Sequence, residues 1–451
     1  MEETFEKSNK TKYKEKIVSF LKNPIIYLVI IIAIVQSFIY ANIPEVGHTG
    51  DSGGYLYAYD KGSFFNGYLD EARPPIYSYF IKVIKKIGGE ANLESNVVLA
   101  QKILFLVSVI LFYYILKLLI KNKIIIVSLT LIFGLSPSMF VWNTYIVTEA
   151  IVGIEMVFLA FITIKYLKKP SKILASFMGI IVLAMILTKP ALIYLLPIYI
   201  LFIILRFILN KEERKKLYFA IGSMVICCVC LIVYCLQMKN LYGVFGITAV
   251  SYNNTVLSAI ISGAYVDSDN EQIKNEIKGL VGDKNPKDVD PYSIFDKIKQ
   301  NHSSSEIEEF ANSASKSTKY KTFVLNRFIK VGTENIGTSY SNGEKSNKEY
   351  IYNYTFLGDL TVPITFGMLY IILFISIIYL IWYLIKYKKI NWICAFFTST
   401  IFANIFTLIV GAPFEEQRLF FPSMCLVILY VGVIIDKIKL KEENLLNEKN
   451  V

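Results

Sequence analysis

Runs of apolar residues about one bilayer long recur along this chain and leave it few folds. They cover about 24–43, 98–119, 124–141, 150–167, 173–188, 191–209, 217–238, 359–385, 390–410 and 419–436. Lipid offers no hydrogen-bond partner to a backbone amide or carbonyl, so a segment crossing it pairs those groups internally, as a helix. A crossing needs roughly 17–25 residues. The sequence therefore predicts an all-α, polytopic transmembrane helix bundle of about ten spans. A hydrophobic share of 54% and a mean hydropathy of +0.49 exclude a soluble protein with a large core.

Charge orients the bundle. The net charge of +11 is no nucleic-acid footprint, because the lysines and arginines stand in short runs between apolar segments. Six precede residue 23; three, four, five and three fall in 117–123, 165–172, 206–216 and 386–389; four follow Ile435. The alternate connections are nearly bare, with none in 142–149, Lys189 alone in 188–190 and Arg418 alone in 411–418. Basic residues concentrate on the cytoplasmic side, so both termini are expected there, in a multi-pass protein of the cell membrane. The first run is long enough to span and has no small-residue cleavage site after it, so it is expected to be retained. The cysteines, Cys227, Cys228, Cys230, Cys235, Cys394 and Cys425, all lie in apolar runs and predict neither a disulfide framework nor a zinc site.

This orientation collects Asp51, Arg73, Glu149, Lys189, Glu415, Glu416 and Arg418 on the outer face. Charged groups at span ends are costly and tend to mark a site. The first outer loop, 44–97, is the richest stretch: His48-Thr-Gly-Asp51-Ser-Gly-Gly-Tyr55, then Asp70-Glu71-Ala72-Arg73-Pro74-Pro75-Ile76-Tyr77. From Pro74 onward Ile76, Phe80, Val83, Ile84 and Ile87 keep helical spacing opposite Lys82, Lys85 and Lys86. That pattern predicts an amphipathic helix lying in the membrane plane, started by proline and ended by Gly88-Gly89. The large outer segment, 239–358, reads as a small, mostly helical unit with a capping box at Ser303–Glu306 and a second surface-lying helix around Phe323–Ile329. Residues 359–451 hold the last spans and a cytoplasmic tail. No internal repeat or nucleotide-binding fingerprint is visible.

Each candidate has a plain structural alternative. Asp51 is well placed to cap the helix that begins at Ser52, yet it is also the strongest candidate for a general base. Arg73 either snorkels beside a helix start or grips a lipid-linked phosphate with its fork of donors. Glu149 either serves the dipole of the helix it opens or belongs to a site. Lys189 has no topological reason to be basic, which favours pairing with phosphate or carboxylate. Glu416 and Arg418 make either a surface ion pair of little worth or part of a substrate site. His48 is a surface histidine, two histidines exclude a histidine-rich metal site, and Asp267 with Asp269 is a weak metal motif outside any nucleotide fold.

Five short stretches, taken in order, resemble the GT-C superfamily of membrane glycosyltransferases, most closely the protein O-mannosyltransferase and aminoarabinose transferase type. They are Asp51…Tyr55, Ala72-Arg73-Pro74-Pro75, Ser136-Pro137…Thr148-Glu149, Thr188-Lys189-Pro190 and Glu416-Gln417-Arg418…Pro422. The chain departs from the family at Ala72, where some members are acidic, at Lys189, often arginine, and at Leu419, often tyrosine. The resemblance implies a GT-C-like module over 1–238, Asp51 as catalytic base, and Tyr55, Arg73, Glu149, Lys189, Glu416 and Arg418 as substrate-binding residues. It implies a polyprenyl-phosphate sugar donor, an acceptor that is a glycan, a teichoic acid or a protein, and membrane lipid as surroundings. It leaves a divalent metal open and assigns no residue to one. A lipid-linked glycan flippase or other transporter, a non-catalytic assembly scaffold and a polysaccharide polymerase are the competing classes. A transporter should carry charges along its spans, where this chain has mainly Glu155.

Overall fold

The computed structural model describes residues 23–42, 46–60, 62–63, 66–337, 363–411 and 416–449. The N-terminal tail, Glu415, the end of the outer segment and the start of the eighth apolar run lie outside them. The helices are α1 (Pro24–Tyr40), α2 (Ser52–Tyr57), α3 (Pro75–Gly88), α4 (Leu93–Leu119), α5 (Lys123–Leu135), α6 (Pro137–Phe140), α7 (Glu149–Lys168), α8 (Lys172–Thr188), α9 (Leu195–Leu209) and α10 (Arg214–Tyr242). They continue as α11 (Asn253–Ser262), α12 (Glu271–Val281), α13 (Pro291–Asn301), α14 (Ser304–Ala314), α15 (Thr318–Gly332), α16 (Phe366–Tyr387), α17 (Trp392–Gly411) and α18 (Glu416–Lys449). Among the described residues there is no strand, only the isolated bridges Gly47–Tyr145 and Asn335–Thr365.

The chain is an all-α membrane bundle, but the span count corrects the expected ten. Seven helices among the described residues are long and apolar enough to cross, or eight if a bent pair counts as one span. That pair is α5 with Pro137–Thr144, broken by 60°. The bend falls at Ser136-Pro137, where proline removes a helix donor and forces the preceding residue out of helical geometry. Helices α1 and α8 have 17 residues each. At about 1.5 Å per residue they reach roughly 26 Å, short of a ~30 Å hydrocarbon core.

Helix α3 ends at Gly89 with φ +76°, as the double glycine predicts. Its two faces differ from a simple in-plane stripe. Tyr77, Ser78 and Ile81 are buried against protein, while Val83 and Ile87 of the predicted apolar stripe are exposed. The helix thus has one face for the bundle and a second apolar edge. The segment after α10 has a core of its own: Val256, Ile260, Ile277, Phe295, Ile298 and Phe310 pack together, joined by Leu69 and Met238. The capping box forms in full, with the Ser303 hydroxyl accepting from the Glu306 amide and Glu306 accepting from the Ser303 amide. Asp267 accepts from the Ser317 hydroxyl at 2.5 Å and serves this packing.

The bundle is clamped at both ends. At one end the Asp436 carboxylate accepts from the Lys121 and Asn122 amides at 3.3 and 3.1 Å, tying α18 to the α4–α5 turn. In between, α8 and α10 approach closely through Ala175, Gly179, Ala220 and Ser223, small residues that let membrane helices meet. A Cβ on Gly179 would lie 2.5 Å from the Ser223 backbone carbonyl. Gly179→Val recovers little helix propensity and forces the backbones apart, so it should cost ~1–3 kcal/mol. The expected reading is a lower apparent melting temperature of the purified protein in detergent, with Gly222→Val, where nothing lies within 4 Å, as control.

Candidate active site

The site lies at the opposite end from Asp436, where α7 and α18 begin and α8 ends. A short backbone zipper builds it. The Gly47 amide donates to the Thr144 carbonyl at 2.8 Å and the Ile146 amide to the Gly47 carbonyl at 3.0 Å, laying the first loop along the approach to α7. Buried Gln101 braces both sides: its Nε2 donates to the Asn143 and Tyr145 carbonyls at 3.2 and 2.9 Å, and its Oε1 accepts from the Tyr77 hydroxyl at 2.7 Å. Sequence reading passed over Gln101, since one amide in an apolar run carries no motif.

Asp51 precedes α2, but its side chain caps nothing. Its oxygens are used elsewhere: Arg73 Nη2 donates to Oδ1 at 2.8 Å and Arg418 Nη2 to Oδ2 at 2.6 Å. Arg418 also turns its Nε to Glu149 Oε1 at 2.5 Å, and Lys189 Nζ donates to that same oxygen at 2.6 Å. One continuous network therefore runs Arg73–Asp51–Arg418–Glu149–Lys189. Glu149 is wholly buried at the first turn of α7, where the positive end of the helix dipole favours it. Tyr55 lies under Arg73, its ring centroid 4.6 Å from the guanidinium carbon.

Local chemistry aims Arg73. Asp70 Oδ1 accepts from the Ala72 and Arg73 amides at 3.0 and 2.8 Å, an Asx turn that sets the entry to Pro74-Pro75. Gly54 leaves the guanidinium its room, since a Cβ there would come within 2.6 Å of Arg73 Nε. That Nε is buried and has no hydrogen-bond partner. Among the described residues the network links the cations Arg73, Lys189 and Arg418 with the carboxylates Asp51 and Glu149. Clustered guanidinium and ammonium groups with a buried spare donor suit an anion.

Of the expected site residues, Asp51, Tyr55, Arg73, Glu149, Lys189 and Arg418 come together, whereas Glu416 does not join them. It pairs with Arg327 of α15 at 2.5 Å. Arg327 was not singled out in the sequence, where it stands inside an apolar stripe; its sole signal there is that it interrupts the stripe. His48 pairs with Glu94 at 3.1 Å on the surface. Among the described residues no three His, Cys, Asp or Glu side chains gather as a metal site would require.

Residues 72–235 match the family model described as dolichyl-phosphate-mannose-protein mannosyltransferase. Over that stretch the chain is similar to the GT-C membrane glycosyltransferases. The matched stretch holds Arg73, Glu149 and Lys189; Asp51 and Arg418 flank it. Among solved structures the chain is similar to the archaeal oligosaccharyltransferase AglB from Archaeoglobus fulgidus in complex with an inhibitory peptide and a dolichol-phosphate, at 13% identity and a TM-score of 0.47. The apo form of the Archaeoglobus fulgidus oligosaccharyltransferase gives 13% and 0.46. Each likeness covers 94% of this chain and 52% of the other, so the chain spans about half their length. Comparison with the curated proteins finds no match.

Burial raises the Asp51 pKa, but the Arg73 and Arg418 charges outweigh it and hold the carboxyl below its ordinary 3.8. A carboxylate with a lowered folded pKa stabilises the protein above its unfolded value, and that share is lost as pH falls through the folded one. Melting temperature should therefore decline below about pH 4, and Asp51→Asn should flatten part of the decline. An identical acid profile in the variant would show that Asp51 is not held by these arginines.

Proposed function

We propose that this chain is an inverting glycosyltransferase that moves a sugar from a polyprenyl-phosphate donor to a hydroxyl of an envelope acceptor. The single observation that carries this reading is the placement of Asp51 between two arginines, in one network with Glu149 and Lys189. The donor phosphate is met by the forked donors of Arg73 and Arg418 and by the Lys189 ammonium. Tyr55 keeps the Arg73 guanidinium flat against its ring. The family description of residues 72–235, which names a dolichyl-phosphate sugar, agrees with a lipid-linked donor.

In the reaction the acceptor oxygen bonds to the anomeric carbon from the face opposite the phosphate. The carbon–oxygen bond to phosphate breaks, its electron pair leaves with the lipid phosphate, and the acceptor proton passes to Asp51. A carboxylate held by two guanidinia is a poor base. Phosphate competes for the same donors, and each guanidinium that turns to it frees an Asp51 oxygen for the acceptor. General-base help is worth roughly 10²–10⁴-fold; the arginines add electrostatic stabilisation of the departing phosphate.

The reaction side is the outer one, with both termini in the cytoplasm. The lysine distribution supports this, because the Asp436 joint lies among the basic connections and the Asp51 cluster lies at the other end of the same helices. Residues 1–238 then form the catalytic module, 239–358 an outer cover and 359–451 its closing helices.

Two measurements test the reading. Purified Asp51→Asn should fold normally and transfer from a synthetic polyprenyl-phosphate sugar roughly 10²-fold or more slowly. Arg73→Lys keeps charge but loses the fork, so KM should rise more than kcat falls. Wild-type turnover in Asp51→Asn would remove the base. For orientation, a cysteine replacing exposed Lys284 should react with an impermeant maleimide in intact cells. Reaction only after lysis would place the segment inside.

A further inference from the structure

Arg327 belongs to none of the motifs above, yet it is one of the most deeply buried cations in the chain, 6% exposed. It projects from α15, in the segment that follows α10. Its Nη1 donates to the Ile409 carbonyl and its Nη2 to the Leu408 carbonyl at 3.4 Å, both in the last turn of α17. Nη2 also donates to Glu416 Oε1 at 2.5 Å, at the first residue of α18. One guanidinium thus satisfies the negative end of one span and grips the positive end of the next, a placement the helix dipoles favour on both sides.

The grip has a directional consequence. Residues two apart on a helix are turned about 200° from one another. Holding Glu416 towards α15 therefore sends Arg418 to the opposite side of α18, where it meets Asp51 and Glu149. If this turn rotated or slid, Arg418 would lose one carboxylate or both. The segment also steadies the other arm of the cluster: the Ala249 amide donates to the Glu71 carbonyl at 2.9 Å and the Ser304 hydroxyl to Glu71 Oε1 at 2.9 Å, two residues before Arg73.

We propose that Arg327 is a positioning residue for the active site: by joining Glu416 to the end of α17 it sets the turn of α18 that delivers Arg418 to Asp51 and Glu149. This rests on the reading of the cluster as the place where donor phosphate and Asp51 act. The segment after α10 is then a working part of the site and not a separate cover.

The test is a pair of double-mutant cycles on purified full-length protein. With a synthetic polyprenyl-phosphate sugar, Arg327→Lys, which cannot reach both partners, and Glu416→Gln should each lower kcat/KM roughly 10- to 100-fold. Adding either to Arg418→Lys should cost little more than Arg418→Lys alone, because the effects run through one residue. Effects that simply multiply, or wild-type kcat/KM in Arg327→Lys, would overturn the proposal. The second cycle needs no substrate and pairs Arg327→Lys with Asp51→Asn in melting temperature. The two side chains do not touch, yet their losses should be less than additive; additive losses reject the role of Arg327. A wild-type protein inert towards the donor would count against the glycosyltransferase reading, and the melting cycle would still decide on Arg327.

Discussion

Arg418 is the interaction on which the rest depends. Its guanidinium joins a carboxylate of the first loop, 367 positions away, to one at the head of α7, 269 positions away. Without that cation, Asp51 and Glu149 would keep Arg73 and Lys189 separately and the site would fall into two ion pairs. Glu149 is fully buried, and an unpaired carboxylate there would cost several kcal/mol. Apolar residues of similar volume would stabilise the bundle at least as well. In the proposed function such a network, placed where three helices begin or end, serves what it binds more than it serves stability.

The geometry around it is ordinary loop chemistry turned to one end. An Asx turn at Asp70 aims Arg73, a bare Gly54 leaves the guanidinium its room, and Gln101 locks the first loop to the approach of α7. Each is a small local preference. Together they hold five charged side chains with little freedom, which is how a site gains from pre-organisation.

Much of this was legible in the sequence for one reason: membrane topology turns distance along the chain into a choice between two faces. The lysine runs led to the expectation that Asp51, Arg73, Glu149, Lys189 and Arg418 share the other face, and the structure brings all five into one network. What the pattern could not resolve is rotation. Glu416 and Arg418 share a face of the membrane but not of their helix, so one meets Arg327 and the other Asp51. Arg327 stayed hidden because its neighbours Val324, Leu325, Phe328 and Ile329 read as an apolar stripe. The span count missed for a different reason. Hydropathy marks α1 and α8 as firmly as their neighbours but is blind to the few residues they lack and to the bend at Ser136-Pro137.

The pairing of Asp51 bears on how the proposed reaction would be ordered. While Arg73 and Arg418 hold both oxygens, the carboxylate is too weakly basic to take a proton from a hydroxyl. The ligand that releases it must offer a competing partner to the guanidinia, and a phosphodiester with two charged, unesterified oxygens does so where a neutral acceptor hydroxyl does not. Donor would therefore precede acceptor. The same competition would discourage transfer to water, because the base is bound whenever the donor is absent. In the proposed reaction, the exchange of the guanidinia between Asp51 and phosphate is what leaves the site closed when empty and basic when filled.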